Sequence, residues 1–136
     1  MTVHPDDRTT DQQRHDQGMA VRRAVLGDAH VDGAEASTSS FTADWQDFIT
    51  RVAWGDVWSR PNLDRRSRSI AVLSSLIACG HQEELAMHLR AALRNGLTVD
   101  EPREVILQSA IYAGVPAANT AFRIADTVLA QPEGEG

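Results

Sequence analysis

At 136 residues, with 42% hydrophobic and 24% charged side chains, the chain has the size and composition of one globular domain with a sizeable core. A net charge of -6 opposes a nucleic-acid partner, and no apolar run approaches the roughly 20 residues of a membrane-spanning helix. The single cysteine, Cys79, excludes an intramolecular disulfide and suits a reducing cytoplasm, while the complete use of Arg over Lys excludes lysine Schiff-base chemistry.

Residues 1–10 read as a mobile polar arm, and Met1–Asp16 lacks the apolar core of a signal peptide. Asp11–Leu26 can form a helix with Met19, Val21 and Val25 on one side, closed by Gly27. Gly18 weakens it by about 1 kcal/mol relative to Ala. The packed domain is set at residues 16–130, with 1–15 as a flexible arm and 131–136 as a polar tail. Asp28–Ser40, rich in small residues, reads as a surface loop. Phe41, Trp45, Phe48, Ile49 and Val52 then recur at helical spacing after a candidate cap at Thr42, and Gly55 is expected to end that helix. A turn follows over Val57–Asn62, and Asp64–Cys79 is apolar enough for a largely buried helix with Cys79 as a small buried residue. Its first turns carry Arg65, Arg66 and Arg68, cations that oppose the helix dipole.

Gly80 opens the stretch with the most acid-base chemistry. His81, Glu84 and His88 fall at i, i+3 and i+7 and share one helix face, where they are able to move protons or hold a metal. Leu85, Leu89, Ala92 and Leu93 form the core stripe of the same helix, which Gly96 ends. Thr98–Glu101 is a capping box for the next helix, with Pro102 in its first turn and Val105, Ile106, Ser109 and Ala110 inward. Gly114 and Pro116 introduce a last helix reaching Leu129 through Phe122, Ile124, Ala125 and Val128. No segment alternates with period two, so the predicted class is all-α, a single-domain bundle of about six helices.

Four stretches carry a family resemblance over about residues 18–130. They are Gly18–Gly27, Trp54-Gly55-Asp56-Val57-Trp58-Ser59-Arg60-Pro61, Glu84 with His88, and Tyr112-Ala113-Gly114-Val115-Pro116-Ala117-Ala118. Together they resemble the carboxymuconolactone decarboxylase family, with departures at Gly33, Asn62 and Pro102. The resemblance implies an alkyl hydroperoxidase D-like helical fold, a homo-oligomer such as a trimer or hexamer, and a cytoplasmic enzyme of protocatechuate catabolism that decarboxylates a lactone diacid without cofactor or metal. The Cys-x-x-Cys-x-x-x-His helix of the alkyl hydroperoxidase D proteins is not reproduced, because His81 and Glu84 occupy its cysteine positions.

For such a reaction the protein must hold two carboxylates, stabilise an oxyanion and protonate a carbon. Under the resemblance, Arg60 and Arg68 are the candidate carboxylate ligands, and His88 is the proton donor with Glu84 orienting it or acting as the acid itself. Trp54, Trp58 and Tyr112 are candidate pocket walls, the phenol able to donate to the lactone oxygen. The competing expectations are a non-catalytic helical oligomer that binds a small acidic ligand or partner, and a peroxidase-like relative.

Overall fold

Helix-forming runs punctuated by glycine give seven α-helices and one π-helical segment over residues 10–130, those that the computed structural model describes. In order they are α1 (Asp11–Leu26), α2 (Asp28–Ala36), α3 (Ala43–Ile49), the π segment (Thr50–Trp58), α4 (Arg65–Cys79), α5 (Gln82–Arg94), α6 (Asp100–Ala113) and α7 (Val115–Leu129). No strand occurs among the described residues, so the all-α class holds. Thr10 and Gln13 form a reciprocal capping box at the start of α1. Arg14 on its second turn forks onto Asp56 of the π segment at 3.0 and 2.5 Å. The helix α1 thus starts at Asp11, inside the stretch read as an arm; residues 1–9 of that arm, and the tail 131–136, lie outside the described residues.

α1 and the π segment pack backbone against backbone, and two glycines make that possible. A Cβ on Gly18 would stand 1.9 Å from the Thr50 carbonyl oxygen, and one on Gly55 would stand 2.6 Å from that of Arg14. Gly55 does not end the helix as expected. The α3 helix continues through it as the wider π turn as far as Trp58, because Gly55 serves the crossing and not termination. Its position also turns Thr50 and Trp54 inward, where both are buried.

One further expectation is corrected here. The Asp28–Ser40 segment is not a loop throughout, since Asp28–Ala36 is helical. Gly27, at φ 91°, redirects the chain, Arg23 bridges the corner to Asp28 and Asp32 at 3.1 and 2.9 Å, and a fully buried Val31 anchors the short helix. The aromatic spacing of Phe41, Trp45 and Phe48 is helical or next to it, but it faces outward. These residues are 94%, 58% and 49% exposed, with Trp45 and Phe48 stacked at 5.9 Å.

α4–α7 enclose the larger core, built on Leu73, Ile77, Leu85, Leu89, Ile106 and Ala121. The smaller core lies between α1, α2, the π segment and one edge of α5, where Val25, Val31, Trp54 and Ala91 meet Met87 and Trp58. Asp64 caps α4 by accepting from the Ser67 amide, and Gly80 closes it in the left-handed conformation. Two of the three arginines at the start of α4 have structural partners: Arg66 pairs with Glu101 of α6, and Arg68 donates to the Leu63 and Arg60 carbonyls at 3.0 Å each. Cys79, expected to be buried, is exposed, because the inward positions of α4 near its end belong to Leu73 and Ile77.

Candidate functional site

α5 serves both cores because it is amphipathic on two adjoining lines. Leu85, Leu89 and Ala92 face the larger core, while Met87 and Ala91 join the smaller one. His88 lies between those lines and is drawn to the tryptophans. Its ring stacks on Trp54 at 6.5 Å and 17° and on Trp58 at 6.3 Å and 16°, and the two indoles meet each other at 5.2 Å. The π segment sets this geometry, since the wide turn carries Trp54 and Trp58 toward the same imidazole.

The electrostatics follow from that burial. His88 Nδ1 is buried without a hydrogen-bond partner. Desolvation, with a smaller contribution from His30, pushes the His88 pKa from 6.5 down to about 4, against the opposing charge of Glu84. The free protein therefore holds a neutral imidazole at pH 7, in a place where a bound anion would favour its protonated form. Glu84 is exposed, one turn before His88, and no hydrogen bond joins the pair among the described residues. It acts on the imidazole through charge alone, and its exposure disfavours the role of buried acid.

Of the residues selected from sequence, Trp54, Trp58 and His88 come together, and Glu84 stands close enough to be felt. Arg60 and Arg68 meet each other instead: the Arg68 guanidinium holds the Arg60 and Leu63 carbonyls and so fixes the turn before α4. The Arg60 side chain is exposed. Tyr112 is 85% exposed at the end of α6, beside Ile111 at 80%, and makes no ring contact with His88 or the indoles among the described residues. His81 is exposed and caps α5 without a side-chain bond. A groove of about 290 Å³ between α6 and α7, lined by Val99, Arg103, Phe122 and Leu129, includes none of these residues.

Three residues near this site escaped the sequence reading. Arg22 of α1 is only 4% exposed, and among the described residues its side chain makes one hydrogen bond, from Nη1 to Thr50 Oγ1 at 3.4 Å, with Nε left without a partner. Thr50 is 1% exposed and lies one turn before Trp54. His30, adjacent to the buried Val31, is held below its ordinary pKa by desolvation and then by the charges of Arg22 and Arg90. A signal for Arg22 existed, because Gly18, Arg22 and Val25 at i, i+4 and i+7 put a cation on the buried stripe of α1.

Residues 43–127 match the model of the carboxymuconolactone decarboxylase family. A 4-carboxymuconolactone decarboxylase of Acinetobacter baylyi is 48% identical over 119 residues, which cover 88% of this chain and 89% of that protein. A nitrosuccinic acid decarboxylase of Metarhizium robertsii is 40% identical over 114 residues, 84% of this chain and 80% of its own length. A 4-carboxymuconolactone decarboxylase sequence from Pseudomonas putida is 54% identical over 46 residues, 34% of this chain and 96% of that sequence.

Proposed function

The chain belongs to the carboxymuconolactone decarboxylase family, and from that premise we propose that it converts 4-carboxymuconolactone to 3-oxoadipate enol-lactone and CO2 in protocatechuate catabolism. The observation that carries the reading beyond family membership is the half-buried imidazole of His88 stacked on two indoles, with Nδ1 unpartnered. A ligand-binding scaffold without chemistry has no need to hold a proton-handling group in this desolvated state. A thiol peroxidase cycle is disfavoured by the single cysteine.

The reaction asks little of the protein in the way of an electron sink. As the bond to the ring carboxylate breaks, its electron pair passes through the C=C bond onto the lactone carbonyl. The resulting dienolate takes up one proton at the carbon next to that carbonyl, so substrate plus a proton gives product plus CO2. His88 is the proton donor in the complex: the substrate's carboxylates bring the negative charge that its pocket lacks, which raises its proton affinity on binding. Glu84 favours the same protonated form from the rim. Trp54 and Trp58 give the departing carboxylate an apolar wall, suited to neutral CO2. Arg60 and Tyr112 stay candidates for substrate contact from the exposed surface, and the carbonyl bonds of Arg68 favour a role in shaping the turn.

The name of the Metarhizium relative identifies a second acid with the same logic. In nitrosuccinic acid the carbon that can lose CO2 carries an electron-accepting nitro group and a CH2-carboxylate arm; in the lactone that carbon is linked to the accepting carbonyl through the C=C bond and carries the same arm. Both contain a succinate unit, of which one carboxylate leaves and one stays. Purified protein incubated with freshly generated 4-carboxymuconolactone is expected to release CO2 well above the buffer rate; a rate equal to buffer overturns the reading.

Assembly as a homo-oligomer, a trimer or hexamer, is part of the same proposal. Support comes from two apolar surfaces, one with Phe41, Trp45 and Phe48 and the other with Ile111, Tyr112 and Val115, the last 73% exposed. Sedimentation at micromolar concentration is expected to give a multiple of 14.9 kDa; a monomer there would remove this part. The exposed thiol suits the reducing cytoplasm in which we place the enzyme.

A further inference from the structure

A guanidinium stays charged at every physiological pH, so burying one without a carboxylate partner is unfavourable. Arg22 is buried in this way. It is 4% exposed, its Nε has no partner, and among the described residues it forms no ion pair, the Glu35 carboxylate acting on it only at longer range. The contrast with other arginines of the chain is clear, since Arg14, Arg23, Arg51 and Arg66 all hold an acid at shorter range and greater exposure. Arg22 also sits beside the site. Its one partner, Thr50, lies a turn before Trp54, its charge acts on His30, and His30 in turn acts on His88. Its buried neighbours on the same helix stripe, Gly18, Val21 and Val25, carry no charge to balance it.

We propose that the Arg22 guanidinium is the anchor for the carboxylate that the substrate keeps, the CH2-carboxylate arm of its succinate unit. The assignment rests on the decarboxylase reading for the reaction, though not for the binding of the anion. The choice between the two carboxylates follows from the chemistry. A cation on the departing carboxylate would stabilise charge that is lost as neutral CO2 forms, and so would raise the barrier. On the retained carboxylate the same contact is equally strong before and during bond breaking, and contributes to binding alone. A charged hydrogen-bonded contact of this type corresponds to about a 10- to 100-fold change in affinity.

The test uses Arg22→Met and Arg22→Lys in the full chain, with two readouts. In the first, KM for 4-carboxymuconolactone is expected to rise about 10- to 100-fold in Arg22→Met with kcat within about threefold, and Arg22→Lys to fall between. The second is succinate titrated against intrinsic tryptophan fluorescence, where Trp54 and Trp58 report occupancy; saturable quenching is expected in the parent and is lost in Arg22→Met. Arg22→Met is also expected to unfold at the same urea concentration or a higher one, because a buried charge without an ion-pair partner is removed. A merely structural arginine would do the opposite. An unchanged KM and unchanged quenching overturn the assignment while leaving decarboxylation intact. So does a fall in kcat at constant KM, which would put Arg22 on the reacting carboxylate or the oxyanion. If the parent releases no CO2 yet binds succinate through Arg22, the anion site stands and the decarboxylase reading falls.

Discussion

Replacing His88 with Asn is expected to lower kcat for decarboxylation by about 10²- to 10⁴-fold without changing the mass of the assembly. Asn keeps a polar group of similar reach against Trp54 and Trp58 and removes the ring nitrogens that can carry a proton. Near-normal turnover in this variant would move the proton donor elsewhere, with Glu84 the next to test. The pH dependence sharpens the claim. With His88 depressed to about 4 in the free protein, the protonated form falls about tenfold for each pH unit above that value. If this form is the donor, kcat/KM between pH 5 and 8 declines with that slope while kcat, which reports the complex, holds to higher pH. A flat kcat/KM over the range would make His88 a neutral hydrogen-bond donor to the lactone oxygen and not the acid.

The same shift has a stability consequence of definite sign. A histidine with a folded pKa below its unfolded value binds fewer protons when folded, so acid favours the unfolded chain. The contribution is fully present above pH 6.5 and is lost as pH falls toward about 4. It amounts to at most about 3 kcal/mol, less for the part of the ring that water reaches. Urea midpoints at pH 7 and pH 5 should therefore differ more in the parent than in His88→Asn. Catalysis and stability thus draw on one feature, the desolvation of an imidazole between two indoles.

Much of this arrangement can be read from the chain. Helical spacing places His88 correctly on α5, and the glycines after α1, α4, α5 and α6 do close or follow helices, each with positive φ. What spacing cannot give is the identity of the neighbour. Phe41, Trp45 and Phe48 mark a face, but the close approach of α1 to Thr50 and Gly55 decides that this face looks outward. The surroundings of Arg68 follow a similar logic. Arg68 stands next to the Trp58–Pro61 stretch in sequence, and that proximity is what lets it bind the local carbonyls. Arg22 is distant from that stretch in sequence and meets it only through the helix crossing, so only its place on an apolar stripe hinted at it.

That crossing yields the largest expected change in stability. In most helices Gly→Ala is favourable by about 1 kcal/mol, and on propensity alone Gly18→Ala should stabilise α1. Here the added methyl would sit 1.9 Å from the Thr50 carbonyl oxygen and 2.9 Å from the Gly55 nitrogen. Both are backbone atoms of a helix, so no rotamer change can relieve the overlap and the two helices must separate. Separation strains the Arg14–Asp56 fork and the Arg22–Thr50 bond together, and it exposes part of the core around Val21 and Trp54. A loss of about 3 kcal/mol or more is expected by urea denaturation, against a gain of up to about 1 kcal/mol for Gly33→Ala. Gly33 is the proper comparison, being helical with nothing within 4 Å of its added methyl. Equal stability of the two variants would mean that the crossing is looser than its geometry states. A destabilised Gly18→Ala that still folds should also bind succinate more weakly, because Thr50 and Arg22 are held on opposite sides of the same contact.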